Sequence, residues 1–331
     1  MIILFTHLLF LNILIFTFHT KISKKFNIFD FPDKLRKKQK SKIPITGGMI
    51  ILLNYLLIIF LNFVYELNFF DHLNLSKIDW YLSFIIIPIM FYLIGLYDDK
   101  YDLRPSIKIL LSLILFYIVI NLDDNFLLRE IYIFSFKFNI SILKYSIFIS
   151  LLCYLLFQHA FNMFDGINLQ IGLYSVIFLL ILFYITQIDF FVLLILPLLF
   201  FLLLNFKNKS YMGDGGCYLL SYLFSIYCVN FYNSDQLNIE QIFLLMMIPG
   251  IDMLRLFIHR IYIGKSPFSS DREHFHHYLT LRFSNFSSNL ISMLFIITPI
   301  ISYILFESFF IILIFSIIFY LFFLYLITKK I

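Results

Sequence analysis

Residues 171–206 read IGLYSVIFLLILFYITQIDFFVLLILPLLFFLLLNF, and Asp189 is the single charge in the run. A helix crosses the hydrocarbon of a bilayer with about 20 mostly apolar residues. The stretch is therefore long enough for two spans, 171–187 and 189–205, set back to back around Asp189. Working outward, nine further segments meet the same description: 2–18, 48–65, 81–97, 107–121, 146–161, 217–232, 241–258, 287–305 and 309–328. The composition agrees, with 61% hydrophobic and 14% charged residues. Soluble domains carry about 25% charged residues, and disorder needs low hydrophobicity, so both classes are excluded. The expectation is an all-α, polytopic membrane bundle of about eleven transmembrane helices, forming one domain over 1–331.

The 45 Phe and 22 Tyr accompany abundant Ile, Asn and Lys and a lone Trp. Such a pattern reflects coding bias rather than a stacking platform. Cys153, Cys217 and Cys228 show no C-x-x-C spacing, so neither a zinc site nor a disulfide framework is indicated. The first span lacks a basic leader and a small-residue cleavage site, and reads as a span rather than a signal peptide.

Alternating the spans places all Lys and Arg on one side except Lys77, Arg129, Lys137 and Lys144. The positive-inside rule makes that basic side cytoplasmic, with the N-terminus outside and the C-terminus cytoplasmic. The net charge of +5 is thus an orientation signal, not a nucleic-acid footprint. The segment 122–145 falls outside, and the alternation from Ile131 to Ile140 suits a short periplasmic hairpin.

Carboxylates beside membrane spans are costly and mark function. Here they gather at expected cytoplasmic helix ends: Asp98, Asp99 and Asp102 after the third span, Asp165 after the fifth, Asp214 before the eighth, with Asp252 inside the ninth. A helix cap or a solvated end explains any one of them. As a set at similar depth they call for a divalent cation or for cationic substrate contacts. In GLYDDKYDLRPSIK (95–108), Asp98 and Asp102 would share a face if the helix continued, and Arg104 and Lys108 add cations for an anionic substrate. In HAFNMFDGINLQIG (159–172), Asn162, Asp165 and Gly166 close an apolar helix. In YMGDGGCYLL (211–220), the glycines leave amides open at a helix start, which suits phosphate, and Asp214 would ligate Mg²⁺. The loop GKSPFSSDREHFHHYL (264–279) brings Lys265, Asp271, Arg272, His274, His276 and His277 together. Zinc is one reading, but without a cysteine an anion site of Arg fork and imidazole donors suits the set better.

These residues resemble the polyprenyl-phosphate N-acetylhexosamine-1-phosphate transferases, a bacterial membrane family, from FPDKLRKKQKSKIPITGG (31–48) through the His loop. The resemblance implies the bacterial inner membrane, a cytoplasmic-face site, Mg²⁺ (with Mn²⁺ as substitute), undecaprenyl phosphate and a UDP-N-acetylhexosamine. It implies catalytic roles for Asp98, Asp99 and Asp214, with Asp214 and Asp98 on the metal. It implies substrate binding by Lys108, Asn162, Asp165, Asn168, Arg272, His274, His276 and His277, and excludes nucleic acid as a partner. The activity implied is transfer of sugar-1-phosphate from the UDP-sugar to the lipid phosphate with release of UMP, the sugar being GlcNAc by the form of the His loop. This would be the first membrane step of a cell-envelope glycan such as O-antigen or teichoic acid. Assembly as a homodimer stays open. Three positions depart from the family: Asn168 stands where many members carry a second Asp, the early RKxH pattern reads Arg36, Lys37, Lys38, Gln39, and Cys217 ends the MGDxG segment. Two other classes fit parts of the pattern, a membrane prenyltransferase of the DDxxD type and a non-enzymatic divalent-cation transporter.

Overall fold

The computed structural model describes residues 2–32, 41–70, 76–269 and 271–329. The early pattern at Arg36, Lys37, Lys38 and Gln39 lies outside the described residues. Twelve helices follow one another: α1 (Ile2–Phe26), α2 (Gly47–Tyr65), α3 (Lys77–Tyr101), α4 (Pro105–Leu122), α5 (Ser146–Met163), α6 (Gln170–Thr186), α7 (Asp189–Phe206), α8 (Gly213–Asn233), α9 (Ile239–Tyr262), α10 (Phe275–Arg282), α11 (Asn285–Phe306) and α12 (Phe309–Thr328). Nine of these are long and apolar enough to cross a membrane among the described residues. The other two expected spans are helices as well: α6 has 17 residues, and α8 carries Asp214 and several polar residues. The chain is an all-α, multispan membrane protein. Residues 275–282, expected in a loop, form the short helix α10.

Among the described residues, two short antiparallel pairs interrupt the helices. β1 (Phe29–Asp30) pairs with β2 (Ile43–Pro44), and β3 (Glu130–Ile133) pairs with β4 (Phe138–Ser141). The second is the hairpin expected from the alternation around Ile131 and Ile140, which face each other across the strands. The chain forms two compact units, Met1–Asp124 with Ile171–Phe224, and Asn125–Gln170 with Ser225–Ile331.

In the first unit, α3 contains a widened π turn at Leu82–Ile86. Proline explains it: Pro88 has no N–H for the carbonyl of Phe84, and the Ile87 N–H reaches back five residues to Leu82. The carbonyls of Ser83 and Phe84, both on buried residues, lose their helical donors. The hydroxyl of Tyr222 donates to the first at 2.7 Å and that of Tyr55 to the second at 2.6 Å. Asn12 on α1 and Asn54 on α2 exchange amide hydrogen bonds at 2.7 and 3.1 Å, so both buried amides are paired.

In the second unit, α9 opens with a capping box between Asn238 and Gln241. Side chains from several helices hold the segment before α5. The amide of Asn233 donates to the carbonyls of Asn125 and Leu127, and the Tyr154 hydroxyl donates to that of Phe126. The Ser150 hydroxyl accepts from the Leu128 N–H.

Candidate active site

The first unit zips two sequence motifs together. The Tyr211 N–H donates to the carbonyl of Pro44, the Gly47 N–H to that of Tyr211 and the Gly48 N–H to that of Met212, at 2.9, 2.9 and 3.0 Å. Thr46 and Ser210 share a buried hydroxyl contact at 2.7 Å. The start of α8 is thereby pressed against α3. A Cβ on Gly95 would stand 2.4 Å from the backbone carbonyl of Asp214, so the approach needs glycine there.

At this junction four predicted residues meet. The carboxylate of Asp99 accepts from the N–H of Asp214 at 3.0 Å and of Gly215 at 3.2 Å, one through each oxygen. The amides read from sequence as open to phosphate are therefore already occupied, because a carboxylate on α3 caps α8 and meets its positive end. Asp98 is buried; one oxygen accepts from the Leu103 N–H at 2.9 Å and the other pairs with Lys108. The carboxyls of Asp98 and Asp214 are near enough to act on each other electrostatically. Asp102 does not join them. It ends α3 in the left-handed conformation, φ 49°, and is exposed, so the expected shared face with Asp98 is not formed. The turn needed to bring Leu103 onto Asp98 takes the third carboxylate away.

In the second unit the histidine loop is organised by Asp252, a buried carboxylate on α9. Its Oδ1 accepts from Arg255 Nη2 at 2.8 Å and from the Tyr320 hydroxyl at 2.8 Å. Its Oδ2 contacts His274 Nδ1 at 3.0 Å, and the Phe275 N–H reaches both oxygens at 3.1 and 3.3 Å. Arg255 also donates to the carbonyl of Glu273. Further along, Arg260 donates to Asp271 at 2.7 Å and to the carbonyl of Pro267 at 2.7 Å, while Asp271 accepts from the Glu273 N–H. Burial would raise the Asp271 carboxyl, but these donors outweigh it and hold the group below its ordinary range.

The three histidines lie in mutual contact. The rings of His274 and His276 stack with centroids 5.1 Å apart, and His277 sits edge-on to His276 at 4.4 Å. Burial, then the neighbouring His274 and Arg272, push His277 down to about 4. Burial and the two adjacent histidines push His276 well down too. His276 rests on the expected NxxDG turn, where a Cβ on Gly166 would stand 1.7 Å from its Nε2. The same turn carries Asn162, whose carbonyl accepts from the Asp165 N–H at 3.2 Å, and Asn168, whose carbonyl accepts from Asn289 at 2.8 Å. Both ring nitrogens of His276, Nε of Arg272 and Oδ1 of Asn162 are buried without a hydrogen-bond partner among the described residues. Buried polar atoms of this kind are rare in native structures, and this set, two donors and two acceptors beside the Arg272 guanidinium, fits a polar ligand.

Asp252, His274 and His276 also offer atoms within 4.8 Å of one another, close enough to consider a metal ion. The carboxylate already serves Arg255, Tyr320, His274 and a backbone amide, however, and the adjacent guanidinium opposes a cation. Asp252 is better understood as the group that fixes the His274 ring through its Nδ1. Asp252 stood out in the sequence only as one more carboxylate in the membrane set, and its partners Arg255 and Tyr320 did not stand out as site residues. The available signal was an Asp three residues before an Arg inside an otherwise apolar helix.

Residues 81–232 match the profile of glycosyl transferase family 4. Three relatives are each named undecaprenyl-phosphate alpha-N-acetylglucosaminyl 1-phosphate transferase. That of Salmonella typhi is 26% identical over 285 residues, covering 81% of this chain and 73% of its own. That of Thermotoga maritima is 26% identical over 270 residues, covering 81% and 78%. That of Haemophilus influenzae is 26% identical over 259 residues, covering 73% and 69%. The matched stretch contains Asp98, Asp99, Asn162, Asp165 and Asp214, and over it the chain is similar to glycosyl transferase family 4.

Proposed function

We propose that the chain transfers an N-acetylhexosamine-1-phosphate, with GlcNAc as the sugar, from a UDP-sugar to undecaprenyl phosphate and releases UMP. The observation that carries this reading is the meeting of Asp98 and Asp214 at the ends of membrane helices. Lys108 balances one of these two charges, and the other needs a proton or a further cation. The carboxylate of Asp214, with Asp98 beside it, suits Mg²⁺, which takes one or two carboxylates and completes its shell with water and phosphate oxygens; Mn²⁺ would substitute. When bound, the ion would supply charge neutralisation for the diphosphate under attack.

The chain's own residues do the rest. Lys108 holds Asp98 from one side, and Asp99 fixes the backbone that carries Asp214. Arg272, His274, His276 and His277 bind the diphosphate of the sugar nucleotide, and Asn162, Asp165 and Asn168 its nucleoside end. The acceptor phosphate has a second pKa near 6 and is mostly dianionic at neutral pH. Proton removal by a carboxylate such as Asp99 thus contributes little, and orientation and charge neutralisation dominate. The basic side of the membrane would be cytoplasmic, in a bacterial plasma membrane, and the product would begin a cell-envelope glycan.

The exposed, turned-away Asp102 weighs against a DDxxD prenyltransferase; Asp98, Asp99 and Asp214 at helix ends, with the mid-span Asp252 already paired to Arg255, weigh against a cation transporter. Purified protein with undecaprenyl phosphate, Mg²⁺ and a panel of UDP-sugars should release UMP, fastest with UDP-GlcNAc. Asp214→Asn should lose at least about 100-fold in rate, by analogy with removal of one transition-state electrostatic group. Full activity in that variant would sink the proposal. UMP exchange into UDP-sugar without lipid acceptor would instead reveal a covalent carboxylate intermediate.

A further inference from the structure

The hairpin of β3 and β4 is amphipathic by register. Residues opposite each other across two strands project to the same face. Ile131 with Ile140 and Ile133 with Phe138 therefore form one face, and Glu130 with Ser141 and Tyr132 with Asn139 form the other. The second face is polar, and Asn139 donates to Glu130 at 2.7 Å across it. The first is wholly apolar yet partly open: Phe138 is 56% and Ile140 40% exposed, while Ile131 and Ile133 are half-buried. At the tip, Phe134 and Phe136 are 46% and 63% exposed.

The hairpin is not a loose flap. The Tyr132 N–H donates to the Tyr232 hydroxyl at 2.8 Å, and the Ser135 N–H to Glu240 Oε1 at 2.8 Å. Phe136 stacks on Phe310 at 4.4 Å. The apolar exposure also continues past the strands, through Leu143 and Tyr145 into Ile147, Phe148 and Leu152 on the outer side of the membrane helix α5. The basic residues Lys137 and Lys144 border it and are exposed. A rigid apolar face, continuous with a lipid-facing helix and edged by cations and tyrosines, has the layout of a membrane-interface anchor.

We propose that this hairpin lies in the bilayer interface, its Ile131, Ile133, Phe138 and Ile140 face sunk about 5–10 Å into the boundary between headgroups and acyl chains. The polar face, with Glu130 and Asn139, stays in water. The occupant of the apolar face is lipid, not a second protein. This inference does not depend on the transferase reading.

Tryptophan quenching tests it in the full chain. Trp80 is the one native tryptophan, so a Trp80→Phe background isolates a new probe. In nanodiscs, Phe138→Trp should be quenched strongly by lipids brominated near the headgroup end of the acyl chain and little by aqueous iodide. Asn139→Trp, one residue on and on the other face, should show the opposite order. Ile140→Trp repeats the apolar-face measurement if the first variant does not fold. Quenching of the 138 or 140 probe by iodide alone overturns the proposal, because the face is then in water. Quenching by neither reagent overturns it equally, because the face is then covered by protein.

Discussion

Asp252→Asn tests the organisation of the histidine loop most directly. The substitution keeps the size of the side chain and removes its charge. In the native protein that carboxylate meets Arg255, His274, Tyr320 and the Phe275 N–H, all within 3.3 Å. An amide presents one acceptor where the carboxylate presented two, and its NH₂ must face either the Arg255 and Tyr320 donors or the His274 and Phe275 donors. Removing one partner of a buried ion pair costs about 3–5 kcal/mol. The Arg255 side chain keeps 20% exposure, which allows water to recover part of this, so a loss of about 2–3 kcal/mol is expected. Freed from Oδ2, the His274 ring also loses its fixed orientation. If that ring holds the sugar nucleotide through one charge-assisted bond of about 1.5–3 kcal/mol, kcat/KM falls roughly 10- to 100-fold, mostly through KM for the UDP-sugar. Denaturant unfolding in detergent micelles measures the first number and UMP release at varied UDP-sugar and fixed lipid the second. Tyr320→Phe controls for general loosening: it removes one donor to the same carboxylate, leaves the His274 contact in place and should leave KM unchanged. Native stability and native KM in the Asp252→Asn variant would falsify the assignment of Asp252 as the loop's organiser.

Gly166→Ala should abolish UDP-sugar binding while leaving the helices intact, because its Cβ would occupy the place of His276 Nε2; nucleotide binding by calorimetry beside a circular dichroism spectrum separates the two effects, and unimpaired binding refutes the contact. Asp99→Ala should cost about 1–2 kcal/mol, the value of a lost helix cap, measured as a lower denaturant midpoint; a midpoint no lower than native would show that the α8 amides do not need it. His277, held down at about 4 by burial, is neutral in the folded chain at pH values where the unfolded chain is protonated. Its contribution to stability is therefore complete above pH 6.5 and is lost as pH falls from 6.5 towards 4, at up to about 1.4 kcal/mol per pH unit. His276 acts in the same direction. His277→Gln should flatten that acid limb, and a limb of unchanged slope would show that His277 is not responsible.

The helices and their order were legible in the sequence because transfer into hydrocarbon depends on local composition, and twenty adjacent residues contain the whole signal. The hairpin was legible for a similar reason, since the alternation around Ile131 and Ile140 is itself a local period. The aspartates and histidines stood out because charge is scarce in this chain. Their partners did not. That Asp99 caps the amides of Asp214 and Gly215 joins residues 115 and 116 positions apart, and no local pattern in 211–220 shows that those amides are taken. The exclusion of Asp102 rests on a left-handed turn, selected because Leu103 must reach Asp98. Asp252 reads in sequence as one more membrane carboxylate and becomes the support of His274 when α9, α10 and α12 bring Arg255, Phe275 and Tyr320 around it. Sequence alone determined which residues can carry charge at the membrane and where the chain enters lipid. Only the tertiary structure decided which of those charges meet, because the partner of a buried polar group is chosen by packing between distant segments.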